Sequence, residues 1–244
     1  MRPKAVVCLA GVFLLVGGGC HQAPRPSSRM ITPFDGLVVL PDVPAIEIQA
    51  WTCLDAGWLE QIACSPATRE HESLVVIKPR PSEIHAAMLL AGFQPGSPGK
   101  WSYDNDALEF TPPTGDRLDV FVRYQTASGE TIEEPIRNWI QDHLGRAQFP
   151  DDPWVFGGSA FSPNPQGMDP GEHYVADMTG SIVGLVTFGD EVIGFSRVWA
   201  DQQAVQPPQW QVRSEYVPPL GTEVTLILRK ALGDGADSPW PAND

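Results

Sequence analysis

The run at residues 73–78 (SLVVIK) constrains the fold most, because four consecutive apolar residues give a strand that is apolar on both faces. Such a strand has to be covered on both sides, as it is in the middle of a packed sheet. Pro79 and Pro81 end the run, and residues 82–91 carry apolar side chains at helical spacing. Gly92 then supplies the left-handed residue that often follows a helix. This stretch predicts a central strand followed by a helix.

Much of the remaining chain has the pattern of short strands separated by turns. Residues 45–53, 118–125 and 222–230 alternate apolar and polar side chains, which is the period of a half-buried strand. The chain also contains 25 prolines and 23 glycines. This composition suits many short strands joined by turns better than it suits long helices.

A second helix is predicted over residues 135–144. Pro135 suits the first turn of a helix, and apolar side chains follow at helical spacing. The expected fold class is therefore α+β, in a single domain over residues 34–232. Its strands would be mostly antiparallel, and its two main helices would span about 82–91 and 135–144.

Residues 1–19 resemble the signal peptide of a bacterial lipoprotein. Arg2 and Lys4 precede an apolar run that is too short to span a bilayer comfortably, and three glycines then lead to Cys20. In signals of this kind the cysteine is lipidated, palmitate being one of the attached acids, and becomes the new N-terminus. Gly17 departs from the pattern, which usually has an aliphatic residue there. An ordinary cleaved signal and an uncleaved anchor therefore stay open.

The segments on either side of the expected domain are polar. Residues 20–33 are proline-rich and read as a tether, and residues 233–244 read as a flexible tail. The expected location is the bacterial cell envelope, with the domain anchored to the membrane by a lipid on Cys20 and facing the periplasm or the exterior. A net charge of −14 opposes nucleic acid binding. The charge identifies no protein or small-molecule partner.

Cys53 and Cys64 lie in two strand candidates on either side of a turn at residues 55–57. If the two strands form a hairpin, the cysteines face each other, and an extracytoplasmic compartment permits a disulfide. The loop of about ten residues would contribute about 2–3 kcal/mol to stability. A redox-active pair is the alternative, but the spacing lacks the closeness of a catalytic dithiol. The sequence predicts a structural Cys53–Cys64 disulfide.

Glu70, His71 and Glu72 are the candidate ligand-contacting residues, because they belong to the densest polar cluster in the chain. If this run enters the strand directly, the two carboxylates point to one side and the imidazole to the other. The three groups then cannot converge on one ion. His85 should also sit well apart from His71 unless the start of the segment is bent, because the strand between them spans about 20 Å and His85 lies only about 4.5 Å into the returning helix. No metal site is predicted. The sequence also lacks the common nucleotide, redox and zinc-protease motifs, so no cofactor is expected.

Two functions from different classes stay open. The first is a non-enzymatic domain that binds a partner or a ligand. The alternative is a hydrolase or metal-dependent enzyme that uses His71 with Glu70 or Glu72 as acid–base groups. A serine hydrolase built on Ser159 is disfavoured, because the residues around it do not form the G-x-S-x-G motif.

Several short segments resemble the bacterial YdjY-type domain family, and together they cover most of residues 45–230. They are Ala63-Cys64, Glu70-His71-Glu72-Ser73-Leu74, Ile84 to Gly92, Trp154 to Ser159, Ala176 to Gly180 and Thr222 to Thr225. The resemblance implies an envelope or secreted protein, sometimes a lipoprotein, with no established activity. It also gives weight to residues 70–73 and to His85, without assigning them roles.

Replacement of Cys20 tests the lipid anchor. The variant Cys20→Ser lacks the thiol that would carry the lipid, so we expect it to leave the membrane fraction when cells are lysed and fractionated. The wild-type chain should stay in that fraction and dissolve only in detergent. A variant that still sediments with membranes would show that Cys20 does not carry the anchor.

Overall fold

The computed structural model describes residues 29–104, 107–163 and 171–231. The predicted signal peptide, Cys20 and the tail at 233–244 lie outside the described residues. The first strand begins at Ile31, so the end of the predicted tether, 20–33, already belongs to the folded part. No helix among the described residues is long and apolar enough to cross a membrane.

The described residues form many short strands and two α-helices, with 3₁₀ turns at Glu70–Glu72 and Ile136–Trp139. The helices are α1 (Pro81–Leu90) and α2 (Val175–Thr179), and the strands are β1 (Ile31–Phe34), β2 (Leu37–Leu40), β3 (Ala45–Thr52), β4 (Gln61–Cys64), β5 (Ser73–Ile77), β6 (Pro95–Ser97), β7 (Lys100–Asp104), β8 (Ala107–Thr111), β9 (Thr114–Gly115), β10 (Arg117–Gln125), β11 (Thr131–Pro135), β12 (Ile140–Asp142), β13 (Trp154–Val155), β14 (Phe161–Pro163), β15 (Glu172–Tyr174), β16 (Ser181–Gly184), β17 (Gly194–Phe195), β18 (Trp210–Val212) and β19 (Glu223–Lys230).

The fold is mostly β, with 45% strand and 11% helix, so the predicted α+β class is wrong. The helix expected at about 82–91 is present as α1. The helix expected at 135–144 is absent, because this segment divides between the end of β11, a 3₁₀ turn and β12. The apolar residues that suggested a helix are buried for other reasons. Ile136 and Trp139 lie three residues apart on a single 3₁₀ turn, and Ile140 pairs with Val212 in a strand.

One large sheet contains eleven strands and is nearly closed into a barrel. Its main path runs β16-β4-β5-β3-β19-β10-β13-β17, with β1, β2 and β11 attached beside it. The two ends of the path meet, since Val183 in β16 bridges Ile193, just before β17. The amide of Ile193 also donates to the carbonyl of Ile182 at 2.9 Å. Closure of this kind leaves little exposed strand edge.

Strand β5 lies between β3 and β4, as expected of a strand that is apolar on both faces. It is antiparallel to β3 and parallel to β4, so the hairpin predicted around residues 55–57 is wrong. Cys53 directly follows β3 and Cys64 ends β4, and these two strands are separated by β5. Both are free thiols, and the predicted disulfide is not formed in the structure.

The core fills the space between β3, β10, β19 and the helix α1. Inward side chains alternate along the three strands, as Ile48, Val122 and Leu226 show, and all three are completely buried. They are direct neighbours, because Leu226 pairs with Ile48 on one side and with Val122 on the other. Buried cross-strand contacts of this kind provide most of the stability of a sheet.

Truncation of Leu226 tests this account of the core. The variant Leu226→Ala removes buried methyl groups from the central strand, so we expect it to lower the free energy of unfolding by about 2–5 kcal/mol. The matched control is Leu220→Ala, whose side chain is 55% exposed and should matter little. Urea denaturation followed by circular dichroism measures both. Equal losses in the two variants would contradict the assignment.

Candidate functional site

The parallel pairing of β4 with β5 places two carboxylates side by side. The first residues of the two strands, Gln61 and Ser73, are opposite each other in register. The residues just before them, Glu60 and Glu72, are therefore also neighbours. The backbone amide of Glu60 donates to the carbonyl of Glu72 at 3.0 Å. Glu60 and Glu72, 12 residues apart in the chain, therefore lie side by side where β4 and β5 begin.

The environment of Glu60 favours its protonated form. Burial, followed by the negative charge of Glu72 and a hydrogen bond with it, raises the pKa of Glu60 to about 7. The negative charge of Asp201 acts in the same direction, and the positive charge of Arg69 opposes it. The pKa of Glu60 therefore lies close to neutral pH.

Glu72 is held by two further side chains. Nη1 of Arg69 lies 3.1 Å from Oε1 of Glu72, and Nε2 of His71 lies 3.6 Å from Oε2. The guanidinium of Arg69 also sits over the ring of Phe188, 3.9 Å from its centre. These contacts hold the carboxylate of Glu72 beside Glu60.

A narrow cleft opens beside Glu60, with a cavity volume of about 20 Å³. Two tryptophans, two prolines, three glutamines and two acidic side chains contribute to its lining, which is made up of Leu59, Glu60, Val186, Trp199, Ala200, Asp201, Gln203, Gln206, Pro207, Pro208, Gln209 and Trp210. This volume holds about one water-sized group.

Backbone hydrogen bonds fix the walls of the cleft. The carbonyl of Glu60 accepts from the amides of Leu185 and Val186 at 2.9 and 3.0 Å. The same segment continues to Thr187, whose amide donates to the carbonyl of Trp199 at 2.8 Å. Both sides of the cleft are thus hydrogen-bonded to the segment 185–187, which suits a preformed site.

The aromatic wall belongs to a larger cluster of rings. Trp199 stacks on Phe195 with ring centres 5.1 Å apart and planes 10° apart. Trp210 contacts Trp199 at 5.6 Å, and its Nε1 is buried with no hydrogen-bond partner among the described residues. Asp201 accepts a hydrogen bond from Nε1 of Trp101 at 2.9 Å. The carboxylate of Asp201 is thereby held at the cleft.

The family model of the YdjY domain matches residues 45–229. The chain belongs to the YdjY domain family. No curated protein and no solved structure matches the chain significantly. The match covers β3 to β19, so Glu60, Glu72 and both tryptophans of the cleft all lie within the YdjY domain.

The three predicted ligand-contacting residues have different surroundings in the YdjY domain. Glu70, His71 and Glu72 form a 3₁₀ turn rather than the start of a strand, so the alternation expected of strand residues does not apply. Oε1 of Glu70 accepts from the amide of Ala67 at 2.5 Å and holds the turn before it. The side chain of His71 is 76% exposed. Among the three, Glu72 contacts the carboxyl group in the cleft.

Sequence reasoning missed Glu60. Its only local signal is that it stands directly before an apolar strand, as Glu72 does before β5. The parallel partner of that strand had to be known before the two carboxylates could be paired. Among the described residues, no group of three histidine, cysteine, aspartate or glutamate side chains is arranged to hold a metal ion.

The side chain of Ser159 is committed to holding the backbone. Its Oγ donates to the carbonyl of Asp190 at 2.5 Å and accepts from the amide of Ala176 at 3.2 Å. Asp177 accepts from the amide of Ser82 at 2.8 Å, at the start of α1. These bonds join α1, α2 and the turn before Val192, so they are structural.

His85 is packed inside the YdjY domain. Its Nδ1 lies 2.9 Å from the hydroxyl of Tyr174, which donates to the carbonyl of Gly158 at 3.0 Å. Burial lowers the pKa of His85. His173 lies on β15, opposite Ser162. These contacts give His85 a role in packing α1 against the sheet.

The two cysteines of the YdjY domain lie close together although no disulfide joins them. Sγ of Cys53 donates to the carbonyl of Ser73 at 3.1 Å, and Cys64 is completely buried. Interaction with Cys53, opposed by burial, lowers the pKa of the Cys64 thiol to about 7. The same interaction, together with burial, raises the pKa of Cys53.

Titration of Glu60 tests the geometry of the carboxylate pair. Carbon-detected NMR of the side-chain carboxyl groups should give Glu60 an apparent pKa near 7. In the variant Glu72→Gln this pKa should fall, because the neighbouring charge is gone. The control Glu130→Gln alters an exposed carboxylate on a turn and should leave the Glu60 titration unchanged. A Glu60 that titrates near 4.5 in the wild type would contradict the pairing.

Proposed function

We propose that this chain is a lipid-anchored protein of the bacterial cell envelope whose YdjY domain binds a ligand without chemically changing it. The lipoprotein-type signal, Cys20 and the polar tether support the anchor and the location. The observation that carries the binding function is the cleft between Glu60 and the tryptophans Trp199 and Trp210. Concave sites with convergent polar groups and a shifted pKa are typical of binding sites.

Binding is favoured over the catalytic hypothesis built on His71. This side chain is directed to solvent, and it does not line the cleft. Glu70 is engaged with the backbone of Ala67. A general base has to reach the proton it removes within about 2.6–3.2 Å or through one water. His71 does lie 3.6 Å from Glu72. None of Glu70, His71 and Glu72 lines the cleft, however, so they are not placed to act on a substrate bound there.

One observation favours an enzyme as the second candidate function. Glu60 is a carboxyl group with a pKa of about 7 beside a cleft, and this is the property of a general acid that works at neutral pH. In this candidate the acid–base group is Glu60, whose pKa is raised by burial and then by Glu72. A hydrolase of this kind would act on a bond placed next to Glu60.

Ligand-dependent thermal stabilisation of the full chain in detergent tests the binding function. A small-molecule ligand at ten times its Kd should raise Tm by about 3–6 °C. This increase in Tm should disappear in Glu60→Gln and persist in Glu130→Gln. Equal gains in both variants would place the ligand elsewhere and overturn the assignment to the cleft. Conversion of the ligand to a product, abolished in Glu60→Gln, would instead establish the enzymatic candidate.

A further inference from the structure

We propose that the cleft binds a primary ammonium group on a short apolar stem, with Glu60 and Asp201 contacting the charge and Trp199 and Trp210 contacting the stem. This rests on the proposed binding function and specifies its ligand class. The ammonium could belong to a free alkylamine or to a lysine side chain, which present the same chemistry.

The charges around the cleft call for a cation. Three carboxyl groups, those of Glu60, Glu72 and Asp201, interact there with a single guanidinium, that of Arg69. Arg69 is already engaged, since it pairs with Glu72 at 3.1 Å and covers the ring of Phe188. An ammonium at Glu60 relieves the repulsion among the carboxylates, and an anionic ligand increases it.

The size of the cavity selects the charged group. A volume of about 20 Å³ admits one water-sized group, and an ammonium has about that size. A sugar ring is several times larger than a water molecule and does not fit inside. Only the end of a ligand can therefore be enclosed, with the rest leaving through the mouth of the cleft.

The aromatic wall suits the stem and adds attraction for the charge. One face of Trp199 is covered by Phe195, and the ring also contributes to the lining of the cleft. A tryptophan ring attracts an ammonium within about 6 Å of its centre. Trp210 also lines the cleft, and its buried Nε1 is a donor with no partner among the described residues.

Isothermal titration of the full chain in detergent with 1,5-diaminopentane tests the proposal, and 1,5-pentanediol is its neutral control. The diamine should bind and the diol should not. Because the pKa of Glu60 is about 7, its carboxyl group is largely ionised at pH 8 and largely protonated at pH 6. The amine stays charged over this range, so its affinity should fall about tenfold.

Variants show where the diamine binds and separate the contribution of the charge from that of the apolar stem. Glu60→Gln should weaken the diamine at least tenfold at pH 8, and Trp199→Leu should weaken it severalfold. Glu130→Gln, on a distant turn, should bind like the wild type. A parallel titration with Nα-acetyl-lysine amide shows whether a lysine side chain serves as well as a free amine.

Each contrary outcome has a distinct meaning. Equal binding of the diol and the diamine would overturn the ammonium assignment and leave the cleft as a binding site. If calcium chloride binds and prevents the diamine from binding, the ligand of the cleft is an inorganic cation and not an organic one. Diamine binding that is unchanged in Glu60→Gln would overturn the site. If no compound of any class stabilises the protein through Glu60, the proposed function itself falls.

Discussion

The parallel pairing of β4 with β5 is the constraint on which the rest of the site depends. Parallel neighbours need a crossover between them, and here residues 65–72 provide it. The crossover carries Arg69, His71 and Glu72 back to the entrance of β5, where Glu72 meets Glu60. A hairpin between the same two strands would have reversed β5 and moved Glu72 to the opposite end. The acidic pair thus follows from strand direction.

A buried carboxylate, that of Glu191, lies close in the chain to the Val183–Ile193 bridge that joins the two ends of the sheet. Glu191 accepts from the amides of Gly189 and Asp190 at 2.8 and 3.1 Å, and burial raises its pKa to about 7. Two glycines make room for it: a Cβ on Gly194 would lie 2.9 Å from Oε1 of Glu191, and one on Gly184 would lie 3.2 Å from its Cγ. The segment 185–187, which donates to the carbonyl of Glu60, directly precedes this turn.

Much of the local structure could be predicted from the sequence. The buried strand at 73–77 and the helix after it depend on neighbouring residues alone, and both are present. The family assignment is confirmed. The helix expected at 135–144 failed because Ile136 and Trp139 meet the sheet through one 3₁₀ turn, where tertiary packing overrides the local pattern. Long-range pairing has no comparable local signal, so Glu60 was missed.

The coupling between Glu60 and Glu72 is the most direct measure of the central claim. A double-mutant cycle of Glu60→Gln and Glu72→Gln, followed by urea denaturation, isolates it. Because the folded-state pKa of Glu60 is raised from 4.5 to about 7, its contribution to stability is present below pH 4.5 and is lost as the pH rises through 7. The Glu60→Gln variant should therefore lose less free energy of unfolding between pH 5 and pH 8 than the wild type does.

In the Glu72→Gln background that effect of Glu60→Gln should be smaller, giving a coupling energy above about 0.5 kcal/mol at pH 8. Additive effects at both pH values would contradict the account, because they would mean that the two carboxyl groups do not meet.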